Sequence, residues 1–282
     1  MRPIDRFLGK PKSFWASVRS LSQKIGYSKR DTIIVPTVKE MAGAFSDLGL
    51  DPSRLLLEEH PTDFANELYD YFAARAHVLM NKVEPKLMNA EQAKALFEQL
   101  RNEFNPKCPI PMNKQKGDKR AEAFLTAIVN MMVEQYACGL PCNYDPRELT
   151  TITLDGAPLR TLSRRVDGAF PSAINPVAVW EIKEYYYTTT FGSRVADGVY
   201  ETLLDGMEIE ELCEHENIEV KHYLMVDAHY TWWKCGKAYL CRMFDMLHMG
   251  YVDEILFGHE VVEEMPRIVS EWVNLYKCSL RR

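Results

Sequence analysis

Apolar positions recur at helical spacing through the first third of the chain. Phe14, Trp15, Val18, Leu21 and Ile25 share one face, and Gly26 closes that segment. Thr37 and Glu40 stand at capping-box spacing ahead of Val38, Met41, Phe45 and Leu48, so a second helix is predicted to end at Gly49. A longer helix follows Pro61 and Thr62 with Phe64, Leu68, Phe72 and Leu79 inward, and another starts at Asn89 with Gln92 three residues on. The first two helices can be read as a helix-turn-helix-like pair or as part of a plain bundle, and no signature fixes a recognition helix.

The pattern then changes to mixed helix and strand. Residues 106–120, with three prolines, a glycine and several cations, read as a linker between a helical N-terminal region (1–105) and a second domain (121–282). Phe124, Ile128, Met131, Met132 and Gln135 mark a helix over 120–137. Strand-like runs follow at TTITL, SRRVDGAF and VAVWEIKEYYY, separated by turn pairs such as Asp155-Gly156 and Asn175-Pro176. Further on come a helix over 191–204, a strand through IEVKHYLMVDAH, a helix over 236–249 and a last helix after Pro266.

Composition narrows the class. The 282 residues are 46% hydrophobic and 26% charged, enough for a full core, and no apolar run has the length of a membrane span. Seven cysteines without a paired framework point to free thiols in a reducing, cytoplasmic setting. Cys138 and Cys142 lack a second pair at zinc-binding spacing, and the scattered histidines form no close metal motif. Net charge is −6, but residues 1–120 hold 20 Lys and Arg against 15 Asp and Glu, so the chain is a basic arm on an acidic body. Helicase and ATPase chemistry is excluded by the lack of a P-loop sequence. Trp232 and Trp233 read as core rather than base-stacking residues.

The chemistry concentrates in VDGAFPSAINPVAVWEIKEYYY. Asp167 ends one strand-like run, while Glu181 and Lys183 stand two apart in the next and therefore on one strand face. Two carboxylates beside a lysine suit phosphodiester hydrolysis with a hard divalent cation such as magnesium. In that scheme Asp167, Glu181 and the Ile182 carbonyl hold the ion, and Lys183, kept charged by the acids, orients the attacking water.

An Asp followed by Glu-x-Lys, within a helix-strand-strand-strand-helix-strand order, resembles the PD-(D/E)XK nuclease superfamily, which includes many type II restriction endonucleases. The resemblance spans roughly 118–260 and departs at Val166, where the name expects proline. It implies an α/β restriction-endonuclease-like fold with a mixed central sheet flanked by helices. It also implies a metal-linked glutamate on the preceding helix, Glu134 or alternatively Glu122, and polar support from Ser193, Asp197, Tyr200 and Glu201 on the following one. Arg194 is the expected phosphate contact there, with Lys114, Lys116, Lys119 and Arg120 of the linker as further DNA contacts. The implied protein is a magnesium-dependent type II restriction enzyme acting on double-stranded DNA as a homodimer, away from membranes, with a separate methyltransferase protecting the host. Alternatives are a less specific defence or repair nuclease and a non-catalytic DNA-binding module.

Overall fold

The computed structural model describes residues 1–113, 121–188 and 192–280, with the side chain of Arg194 outside that set. Three helices open the chain: α1 (Lys12–Ile25), α2 (Val38–Asp47) and α3 (Asp63–Val78). Two small antiparallel ladders join them, β1 (Ser28–Lys29) with β2 (Thr32–Ile33) and β3 (Leu56–Leu57) with β4 (His60–Pro61). The link between α1 and α2 is therefore a hairpin rather than a plain turn. Thr37 and Glu40 form the expected capping box, with Glu40 Oε2 accepting from the Thr37 N–H at 2.7 Å. A π-helical turn at Leu79–Val83 and a short 3-10 turn lead to α4 (Ala90–Phe104), capped by Asn89 and Gln92.

After α5 (Phe124–Tyr136) the chain builds β5 (Asn143–Tyr144), β6 (Thr151–Leu154), β7 (Ala157–Thr161), β8 (Gly168–Phe170) and β9 (Ala178–Glu184). Then come α6 (Ser193–Glu216), β10 (Lys221–Asp227), α7 (Lys237–His248), β11 (Glu254–Phe257) and α8 (Glu260–Ser279). The fold is α/β, with a mixed five-stranded sheet in the order β11-β10-β9-β8-β5. Strands β9, β10 and β11 are parallel neighbours, while β8 runs antiparallel to both β9 and β5.

Both faces of the sheet are covered, as parallel strands require. On one side Phe170, Trp180, Ile182, Tyr223, Met225 and Leu256 pack on α4, α5 and α8, with Trp180 stacked on Trp272 at 5.2 Å. On the other, Leu224, Val226, Ile255 and Phe257 share a core with α6, α7 and the N-terminal helices. Trp232 and Trp233 are buried in that second core. Among the described residues, no helix is long and apolar enough to cross a membrane.

Several elements differ from the sequence expectation: α6 runs on to Glu216 rather than ending near 204, and β5, β7 and β11 are additional strands. The TTITL run leaves the sheet and pairs with β7 as a separate hairpin. The last helix begins at Glu260 and runs through Pro266, because its apolar face (Val261, Met265, Ile268, Val269, Trp272) is fully buried and outweighs the one lost backbone bond. Helix α4, placed before the boundary at 105, packs instead on α5, with Phe97 and Phe124 rings 5.6 Å apart.

Gly168 sets the spacing between β8 and β9. A Cβ there would stand 2.1 Å from the Trp180 ring. We expect Gly168→Ala to destabilise the fold by about 1–3 kcal/mol through overpacking, measurable by urea unfolding, and to shift its neighbour Asp167.

Candidate active site

The antiparallel register sets Gly168 opposite Trp180, so Asp167, one residue before β8, stands across from Glu181. Its N–H donates to the Trp180 carbonyl at 3.1 Å, and its Oδ2 accepts from the Ile182 N–H at 2.8 Å. Period-two alternation on β9 turns Trp180, Ile182 and Glu184 toward α5 and puts Glu181 and Lys183 together under α6. Lys183 Nζ lies 2.7 Å from Glu181 Oε2, and both side chains are buried. Gly198 of α6 makes room for the lysine stem, since a Cβ there would meet Lys183 Cδ at 3.1 Å.

A cation that sequence reasoning gave no role completes this cluster. Arg164 Nη1 stands 2.9 Å from Glu181 Oε1 and 2.5 Å from Asp205 Oδ2, while Nη2 reaches Glu201 at 3.3 Å. The contact with Glu181 is an ion pair without hydrogen-bond alignment, so Oε1 is buried without a hydrogen bond. Glu201 also approaches Lys183 at 3.4 Å. The only local signals were that Arg164 precedes Asp167 by three residues and that Asp205 lies one helical turn beyond Glu201.

These charges set the protonation states. Burial pushes the Glu181 carboxyl up, but Lys183 and Arg164 outweigh it and hold it below the usual range. Burial, then the Glu181 charge, raises Asp167 to about 6. Burial works against the Lys183 ammonium, yet Glu181 and Asp167 lift it above the ordinary lysine range, so the residue is a fixed cation near neutral pH.

Asp167 borders a cleft of 990 Å³ together with Ile182, Glu184, Thr126, Asn130 and Ser193. Burial raises Glu184 to about 7 even though it accepts hydrogen bonds from the Thr126 N–H and hydroxyl at 2.7 and 3.1 Å. Asp205 and Asp227 are likewise pushed to about 7, in both cases chiefly by burial. A carboxyl raised in the folded state contributes stability that is present below its unfolded pKa, near 4, and lost as pH rises through 6 to 7. Glu181 has the opposite sign and matters only in more acid solution. The melting temperature is therefore expected to fall between about pH 4 and pH 7 and level off above that, with a smaller fall in Glu184→Gln, as calorimetry can show.

Residues 88–272 match the family described as Domain of unknown function (DUF7687). The chain belongs to this family. Residues 1–82 match a second description, Domain of unknown function (DUF7690). No curated protein and no solved structure matches the chain. The DUF7687 match begins just before α4 and takes in α5, the whole sheet and α6 and α7, while the DUF7690 match contains α1 to α3.

Within the DUF7687 domain, several expected site residues stand apart from the triad. Glu122 is not on the helix: it precedes α5, in a bridge to Met112. Glu134 is on α5, but its Oε2 accepts from the Lys107 N–H at 2.9 Å. The chain after α4 crosses the end of α5, and Asn130 (to the Pro109 carbonyl) and Glu134 both hold it there. The α5 positions that face the cleft are therefore Thr126 and Asn130, with no carboxylate. Ser193 lines the cleft, Asp197 is exposed, and Tyr200 is exposed with its ring 6.3 Å from that of Tyr239. Lys114, Lys116, Lys119 and Arg120 lie outside the described residues, as does the Arg194 side chain.

Among the described residues, no group of three or more His, Cys, Asp or Glu side chains stands ready to hold a metal ion. The hard-oxygen donors are Asp167, Glu181 and the Ile182 carbonyl. They fit magnesium chemistry in type, and Glu181 Oε1 has an unused lone pair, although Arg164 now faces it.

Proposed function

We propose that the DUF7687 domain is a magnesium-dependent endonuclease of the PD-(D/E)XK type, with a restriction-endonuclease-like fold, acting on double-stranded DNA. One observation carries the reading: Asp167 stands opposite Glu181, and Lys183 lies 2.7 Å from Glu181. The order of sheet strands and flanking helices, α5-β5-β8-β9-α6-β10 with the separate β6–β7 hairpin inserted after β5, supports the same reading.

Asp167, Glu181 and the Ile182 carbonyl would hold the ion. When bound, magnesium supplies charge neutralisation at the phosphate and a more acidic water. Lys183, permanently charged, stabilises the negative charge that builds on the phosphate as water oxygen bonds to phosphorus and the bridging P–O bond breaks. A proton from the water ends on the departing oxygen. We further propose a site-specific type II restriction role, a homodimer because a double-strand break needs two hydrolytic centres, and a separate methyltransferase as partner.

The clamp of Arg164 on Glu181 favours a second reading, a non-catalytic DNA-binding module in which the acids serve the core. Incubating plasmid DNA with wild type and Asp167→Ala, with magnesium or chelator, decides between them. Magnesium-dependent cleavage by wild type alone supports the nuclease. Equal cleavage by both, or none by wild type, rejects it.

A further inference from the structure

Three buried acceptor atoms near Arg164 make no hydrogen bond: Glu181 Oε1, Asp205 Oδ1 and His222 Nε2. They come from β9, α6 and β10, and none of the three residues is more than 1% exposed. A buried polar atom without a partner is costly, and three in one region call for a common cause.

The imidazole is set as a metal ligand would be. His222 Nδ1 lies 2.8 Å from the Tyr251 carbonyl, which can only accept, so in the neutral ring the hydrogen is on Nδ1 and Nε2 keeps a bare lone pair. Burial holds the ring below the ordinary histidine range and so favours that neutral form. Metal-bound histidines donate their other N–H to a carbonyl or carboxylate in the same way.

The fold gathers the three residues under α6. His222 is in register with Val179 and Leu224 with Glu181, so on these parallel strands His222 and Glu181 point to the same face. The Tyr251 carbonyl that holds His222 also abuts Gly206, where a Cβ would stand 2.3 Å from it, so the imidazole lies against the α6 turn that carries Asp205. Arg164 Nη1 stands between the two acids, 2.9 Å from Glu181 Oε1 and 2.5 Å from Asp205 Oδ2. While it is there, no three metal-binding groups close around one point among the described residues. Arg164 has a way out: its side chain is 24% exposed, and Nη2 already reaches Glu201, which is 45% exposed.

We propose that Glu181, Asp205 and His222 form a site for a divalent transition-metal ion, and that Arg164 takes the place of the ion until it binds. Two carboxylates and an imidazole suit manganese or zinc better than magnesium, which prefers oxygen ligands alone. An ion there engages the unused lone pairs and displaces the guanidinium toward Glu201. Asp205 and His222 lie outside the Asp167, Glu181 and Ile182 set, and the inference does not depend on the nuclease reading, since a chain that cuts no DNA can hold this ion.

The test adds Mn2+ to the chelator-treated full chain and reads binding by calorimetry and nitrogen coupling by electron spin echo. Wild type should show imidazole nitrogen coupling to the bound ion, kept in Asp167→Asn and lost in His222→Gln. Asp205→Asn should bind the ion more weakly. Arg164→Gln removes the competing cation, so it should bind about tenfold more tightly than wild type. That gain is not an effect a damaged fold produces, and melting curves without the ion check the other variants. Bound Mn2+ without nitrogen coupling, or an Arg164→Gln variant that binds no more tightly than wild type, overturns the site. So does coupling that survives in a folded His222→Gln. Plasmid cleavage is scored separately and bears only on the nuclease.

Discussion

Asp167→Asn is expected to abolish magnesium-dependent cleavage while raising the melting temperature near neutral pH. The two effects share one cause. Asp167 is held by the Ile182 N–H at 2.8 Å, but burial and the charge of Glu181 lift its carboxyl to about 6, so its charged form is an unfavourable state in the fold. Asparagine keeps an oxygen for the Ile182 N–H and removes the charge, so the like-charge repulsion with Glu181 disappears. On the nuclease proposal the charge that would hold magnesium goes with it, and loss of such an electrostatic contribution costs about 10²- to 10³-fold in rate. Lys183→Met should be as inactive but less stable, because Glu181 then keeps only Arg164 as a counter-charge. Gel assays of plasmid cleavage and calorimetry check both. A loss of activity with a gain in stability marks a functional residue, whereas losses in both mark a structural one.

The second large effect lies between the N-terminal helices and the DUF7687 domain. Arg75 of α3 is 1% exposed and donates to both oxygens of Asp245 on α7, at 3.1 and 3.2 Å. Tyr71 donates to the same carboxylate at 2.6 Å, and Ser22 Oγ accepts from Arg75 at 3.2 Å. Removing one partner strands a buried charge, so Arg75→Met is expected to cost about 3–5 kcal/mol in urea unfolding. The double variant Arg75→Met/Asp245→Leu should recover much of that, because no charge is then left unpaired. The Tyr71 hydroxyl still loses its acceptor, a residual cost of about 1–3 kcal/mol. A double variant as unstable as the single one would show that the pair's packing, rather than its charge, holds the two regions together.

The features legible in the amino-acid order alone are local. Thr37 with Glu40 and Asn89 with Gln92 are caps formed within four residues, and both are present. Alternation along one strand was enough to put Glu181 and Lys183 side by side, since a β-strand has only two faces. The apolar segments also gave the order of the longer helices and strands through the second domain, but not the edge strands β5 and β11 or the strand β7. Tertiary structure decided the rest, because it depends on contacts between distant parts of the chain. Arg164 meets Asp205 across 41 residues, and no local pattern announces that Glu181 will carry two cations. Glu134 lies on the expected helix, but the chain at Lys107 takes its carboxylate, 27 residues away. Whether TTITL joins the main sheet or pairs with its own hairpin partner depends on which edge is free, and whether α8 runs through Pro266 depends on how much apolar surface the sheet offers it.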